Sequence, residues 1–197
     1  MRTTRAFTLV EMLVVIGILS IAGVLVLAIF SSNLRGSNKA QILGSIKQNG
    51  QSVLESMTNA IRNADNIVCT SLNPDNTLVI VKIGTYTRYR FIVASSGSEN
   101  GVIKQDNPVP TIEEINPTVF INRVCNPQDP MPEAIILTDS NVQNGVSVIS
   151  GSFSRNKSAG FKDNLKITFT LSPATLALPS VAKQIDDVIF ETTIQLR

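Results

Sequence analysis

The chain has 197 residues, with 17 Lys and Arg against 15 Asp and Glu and no histidine. A formal charge of +2 gives no electrostatic reason to expect a nucleic-acid partner. Without histidine the chain lacks the commonest general base and zinc ligand, and a Ser-His-Asp triad is excluded. Apolar residues make up 43% of the sequence and are concentrated near its start, so the length suits one domain with an appendage.

The first six residues, MRTTRA, hold Arg2 and Arg5 and no acid. Basic residues ahead of an apolar span keep that side in the cytoplasm, so the bulk of the chain is expected outside it. From Met12 to Phe30 every side chain is apolar or small, with Ser20 the only polar one. At the helical rise this run reaches about 29 Å, the thickness of a bilayer core. Three readings compete. A secretory signal peptide would be cut after Ser20-Ile21-Ala22, yet the apolar run continues well beyond that point. A plain anchor explains the length but not Glu11, because a carboxylate at mid-membrane costs about 2.5–3.5 kcal/mol. Cleavage between Ala6 and Phe7 explains both. Phe7 would then carry a free ammonium at a helix start, where the dipole disfavours a cation, and Glu11 one turn on would offset it. Between two chains, the carboxylate of one can meet the ammonium of the next and set their axial register. Thr8 and Glu11 also fit a capping box with Thr8 as N-cap. That local reading leaves the basic leader unexplained.

The stretch Arg5-Ala6-Phe7-Thr8-Leu9-Val10-Glu11, with the uncharged run behind it, resembles the prepilin cleavage and methylation motif. That motif belongs to type IV pilins, type II secretion pseudopilins and competence pseudopilins. The resemblance implies that a prepilin peptidase cuts the Ala6–Phe7 bond and that Phe7 becomes N-methylated. It also implies that Glu11 pairs with a neighbour's N-terminus during filament assembly. Ala6 stands where the family mostly has Gly. Losing the leader removes Arg2 and Arg5 and takes the side-chain charge from +2 to 0, which suits dense packing of identical subunits. On this reading the protein is a structural subunit without cofactor, a peptidase substrate rather than an enzyme. It would sit in the inner membrane with its N-terminus in the cytoplasm, then join other subunits in an extracytoplasmic filament. The alternative is a membrane-anchored binding protein or adhesin that never polymerises.

Beyond the span, apolar or small residues recur at Leu43, Ile46, Gly50, Val53, Met57, Ala60 or Ile61, Ala64 and Ile67. Spacings of three and four predict a helix with one apolar face. The opposite face carries Lys47, Gln48, Gln51, Glu55, Asn59, Arg62 and Asn63. One helix is expected from about Phe7 to Ile67, with Arg35-Gly36-Ser37-Asn38 as its weak point. The organisation is then a leader (1–6), a membrane-spanning and assembly segment (7–30), an amphipathic continuation (31–68) and a β-rich extracytoplasmic domain (69–197).

After Cys69 the period changes to two. Strands are expected at Thr77–Ile83, Tyr86–Val93, Thr118–Val124, Ala134–Thr138, Val146–Phe153, Leu165–Leu171 and Val188–Arg197. Turn chemistry separates them, as at Asn73-Pro-Asp-Asn76, 95–101, Asn126-Pro-Gln-Asp-Pro130 and Asn144-Gly145. One helix followed by successive strands reads as α+β, an antiparallel sheet on the second half of a long helix, which is also the fold the resemblance implies. The stretches 56–64 and 192–197 are similar to those of larger minor pilins and J-type pseudopilins. Cys69 and Cys125 would both lie outside the cytoplasm, where disulfides persist. A bridge between them would contribute about 4 kcal/mol in the chain-entropy model, and two buried thiols are the other reading. Tyr86-Thr-Arg88-Tyr89-Arg90 mixes bases with aromatics, as single-stranded nucleic-acid binders do. The balanced charge favours a half-buried strand with solvated arginines instead. Asp186-Asp187 lacks the Asp/Asn-rich loop of a calcium site.

Overall fold

The computed structural model describes residues 8–69, 75–95, 97–112, 114, 116–156, 164–177 and 185–195. The chain divides into two units, through Ala40 and from Gln41 onward. Helix α1 (Leu9–Arg62) supplies the first and enters the second. It runs through Arg35-Gly36-Ser37-Asn38 without a break, so the expected weak point is still helical.

In the second unit α1 buries Ile46, Gly50, Val53, Met57 and Ile61, the stripe set by the three–four spacing. Its polar face from Lys47 to Asn63 is exposed. The helix stops at Arg62 rather than at Ile67. The Asn63 side chain donates to the Asn59 carbonyl at 2.8 Å, and Asp65 N–H leaves the helix to bond the Val81 carbonyl. Asn66–Ile67 is strand β1, yet Ala64 and Ile67 remain buried in the same core. The apolar spacing outlasts the helix because the chain stays over one core while its backbone changes partner.

Strands β2 (Thr77–Lys82), β3 (Thr85–Ile92), β4 (Val102–Asp106) and β5 (Ile135–Ile136) complete an antiparallel sheet in the order β1-β2-β3-β4-β5. A second sheet holds β6 (Val146–Asn156), β7 (Asn164–Pro173) and β8 (Val188–Gln195). This is the α+β layout expected, with two sheets in place of one. Leu196 and Arg197, expected to end the last strand, lie outside the described residues, as do Asn73 and Pro74 of the turn expected at Asn73–Asn76. The main core joins the α1 stripe to Leu78, Ile80, Tyr89, Phe91 and Ile103 of the first sheet and to Phe153, Leu165, Ile167, Phe169, Leu171, Phe190 and Ile194 of the second. Stacked rings tie it together: Phe91 on Phe153 at 4.6 Å and Phe169 on Phe190 at 5.1 Å. Gly50 lets α1 approach Phe190, whose ring would lie 2.1 Å from a Cβ at that position.

Two expectations need correction. Residues 118–124, rich in β-branched side chains, form helix α2 (Pro117–Val124) and not a strand. The Asn116 side chain accepts the Thr118 N–H at 2.9 Å, and Pro117 occupies the first turn, where its missing N–H costs nothing. Capping chemistry outweighs β-propensity here. Strand β4 was expected as no element; Val102-Ile-Lys-Gln-Asp106 offers only two apolar residues, of which Ile103 faces the main core.

Candidate functional site

The N-terminal segment begins with a cap. Thr8 Oγ1 accepts the Glu11 N–H at 3.3 Å, and the Thr8 carbonyl accepts the Met12 N–H at 3.3 Å. Glu11 therefore lies in the first turn of α1, where the helix dipole favours an acid. Its carboxylate has no partner among the described residues. Ala6 and Phe7, expected to flank the scissile bond, lie outside the described residues. From Leu9 to Leu34 the large apolar side chains are 44–81% exposed, on every side of the helix. A helix apolar all round is stable only in lipid or covered by other protein. Ser20, the one polar side chain of the run, donates to the Ile16 carbonyl at 2.8 Å and so satisfies itself within the helix. Among the described residues, α1 is the one helix long and apolar enough to cross a membrane.

A second polar assembly lies far along the chain. Arg88 and Arg90, expected to be solvated, are 1% and 5% exposed. They sit on the face of β3 opposite the main core. There α2 covers the first sheet with Phe120 and Val124 against Val79 and Cys69, and Tyr86 meets Phe120 edge-on at 4.8 Å. Arg88 grips Asp106 with two nitrogens, at 2.9 and 2.5 Å, and Asp129 with a third at 2.6 Å. Burial disfavours its charge, but these carboxylates outweigh that and raise its pKa. Arg90 donates to the Asp129 and Asn126 carbonyls at 2.6 and 2.8 Å and to Thr77 Oγ1 at 3.1 Å. Its pKa is lowered, first by burial and then by the Arg88 charge. On the core side of the same strand, burial pushes the Tyr89 hydroxyl up to about 12.

Arg123 closes the assembly, donating to Glu114 at 2.6 and 3.0 Å and to the Val109 carbonyl at 3.2 Å. That bond, with the Thr111 N–H, holds the Glu114 carboxyl at about 2. Cys69 and Cys125 are joined by a disulfide, with Cα atoms 5.5 Å apart. Cys125 is the C-cap of α2 rather than the end of a strand. The excursion between β4 and β5 is thus fixed by charge and one covalent bond more than by apolar packing. In the sequence, Arg88 and Arg90 share one face of an alternating strand. Nothing local says whether water or another segment meets that face. Burial of Arg88 and Arg90 removes them from any nucleic-acid surface.

Residues 1–30 match the family model of the prokaryotic N-terminal methylation motif. No curated protein and no solved structure matches the chain. The motif implies a substrate of prepilin peptidase that assembles with other pilin subunits, in a family that is structural and not enzymatic. Together with the apolar helix it points to an inner-membrane anchor. The matched motif and the α+β layout behind it are those of type IV pilin-like proteins, and they support a prepilin-like pilin or pseudopilin.

Proposed function

We propose that this protein is a minor pilin or pseudopilin. Prepilin peptidase cuts it between Ala6 and Phe7, and Phe7 is then N-methylated. Residues 7–30 span the inner membrane with the leader in the cytoplasm, residues 31–68 continue the helix, and residues 69–197 form the extracytoplasmic domain. Glu11 then pairs with the N-terminal ammonium of a neighbouring subunit as the helix leaves the bilayer for a filament. The observation that carries this reading is a helix apolar on every side, broken by one acid a turn from its cap, within the matched methylation motif. An acid is tolerated there when a cation comes to meet it in a medium of low dielectric. The oxidised Cys69–Cys125 pair suits an extracytoplasmic domain, and the α2 excursion favours a specialised subunit over a plain repeating one.

Mass spectrometry of the native N-terminus tests the proposal. The expected result is a mature chain starting at a methylated Phe7. An intact Met1, or a start near Gly23, removes the filament reading and leaves an anchor or a cleaved signal.

A further inference from the structure

From Met12 to Leu54 the chain has no acid, and its cations there are Arg35, Lys39 and Lys47. All three are exposed, and none has an ion-pair partner among the described residues. Lys47 belongs to the second unit, while Arg35 and Lys39 follow the apolar run within the first. Helix α1 continues through both positions, so helical geometry fixes their depth. With Met12–Phe30 in the bilayer core, a headgroup layer of about 5–8 Å begins just past Phe30. Arg35 lies five residues on, about 7.5 Å along the axis and within that layer. Lys39 is about 13.5 Å on. Its Cα–Cβ bond tilts toward the helix N-terminus, which is the membrane side, and roughly 6 Å of side chain returns its ammonium to the layer.

Spacings of three and four place positions 31, 32, 35 and 39 on one face of the helix. Ser31 and Ser32 are exposed, and their hydroxyls have no partner among the described residues. Ser20 differs, since its hydroxyl donates back to the Ile16 carbonyl. The face therefore presents two uncommitted hydroxyls and two uncommitted cations, with no acid in the surrounding sequence to neutralise them. At headgroup depth the group that meets such donors is a lipid phosphate. A zwitterionic headgroup already carries a cation beside its phosphate, so an anionic one gains more.

We propose that Ser31, Ser32, Arg35 and Lys39 form a binding face for anionic phospholipid headgroups of the phosphatidylglycerol class. Arg35 and Lys39 hold the phosphate oxygens, and the two hydroxyls donate to them. The proposal rests on the membrane-spanning reading of residues 7–30 and adds the lipid that the span selects. It does not require filament assembly.

The test reconstitutes the full chain in phosphatidylcholine vesicles at neutral pH, with a trace of spin-labelled phosphatidylglycerol or spin-labelled phosphatidylcholine. The fraction of each label immobilised at the protein is read by EPR. Arg2→Gln and Arg5→Gln are present throughout, so the leader cannot supply a preference. At low salt the phosphatidylglycerol label is expected to be favoured about fivefold or more, the effect of one or two cations at an anionic headgroup. Added salt should reduce that preference. Arg35→Gln with Lys39→Gln should bring the two labels near parity. Equal affinity for both labels before that change, or an unchanged preference after it, overturns the proposal. A carbodiimide cross-link from Lys39 to an acid of a second chain assigns the cation to a neighbouring subunit and overturns it too. A chain that alkaline carbonate extracts from the vesicles removes the membrane-spanning reading and this inference with it, a result distinct from insertion without lipid preference.

Discussion

Glu11 and Arg88 are both charges set among apolar neighbours, and the chain treats them oppositely. Arg88 is buried and its partners are internal: Asp106 and Asp129 reach it from two other segments. Glu11 lies on an apolar helix, and none of the described residues meets its carboxylate. A charge satisfied within the chain specifies a fold. A charge with no partner among the described residues is the one the proposed filament pairing would use. Removing one partner of a buried pair leaves the other charge stranded, which is why the two sites should fail in different ways.

The largest effect is expected at Glu11. Glu11→Leu should leave membrane insertion and the fold intact while the protein disappears from sheared filaments, as read by immunoblot of membrane and filament fractions. Normal incorporation of that variant would break the comparison, since the acid would then have no external partner to lose. Arg88→Met should do the reverse. It strands Asp106 and Asp129 and should cost about 3–5 kcal/mol of unfolding free energy, measured by chemical denaturation. A cost under about 1 kcal/mol would mean that water already reaches the cluster.

Loss of the Cys69–Cys125 bridge, by replacing both residues with Ser, should cost about 2–5 kcal/mol. Protease sensitivity should rise first in residues 107–134, because the small core of Phe120, Val124 and Val79 then holds α2 with little covalent help. Uniform sensitivity across both sheets would show that the excursion is not a separate element. The smallest effect is at Glu114. Its folded value of about 2 lies below the ordinary 4.5. Its contribution is therefore present above about pH 4.5 and is lost as pH falls toward 2. Comparing thermal midpoints of wild type and Glu114→Gln at pH 6 and pH 2.5 should show a gap that narrows in acid. A constant gap would place the Glu114 contribution in packing rather than in its charge.

What could be read without a structure follows from local physics. The apolar run from Met12 to Phe30, the acid at Glu11 and the basic leader are statements about single residues and a solvent. The stripe from Ile46 to Ile61 follows from helical spacing, the alternation in β3, β7 and β8 from the pleat, and β2 from its β-branched run. Local reading failed where two signals conflicted. At 117–124 β-branched residues pointed to a strand, while Asn116 and Pro117 encoded a helix start. Tertiary structure alone decided that Arg88 and Arg90 are covered. Alternation assigns a side chain to a face of the sheet but cannot say what packs on that face, because the covering segment lies some forty residues away in the chain.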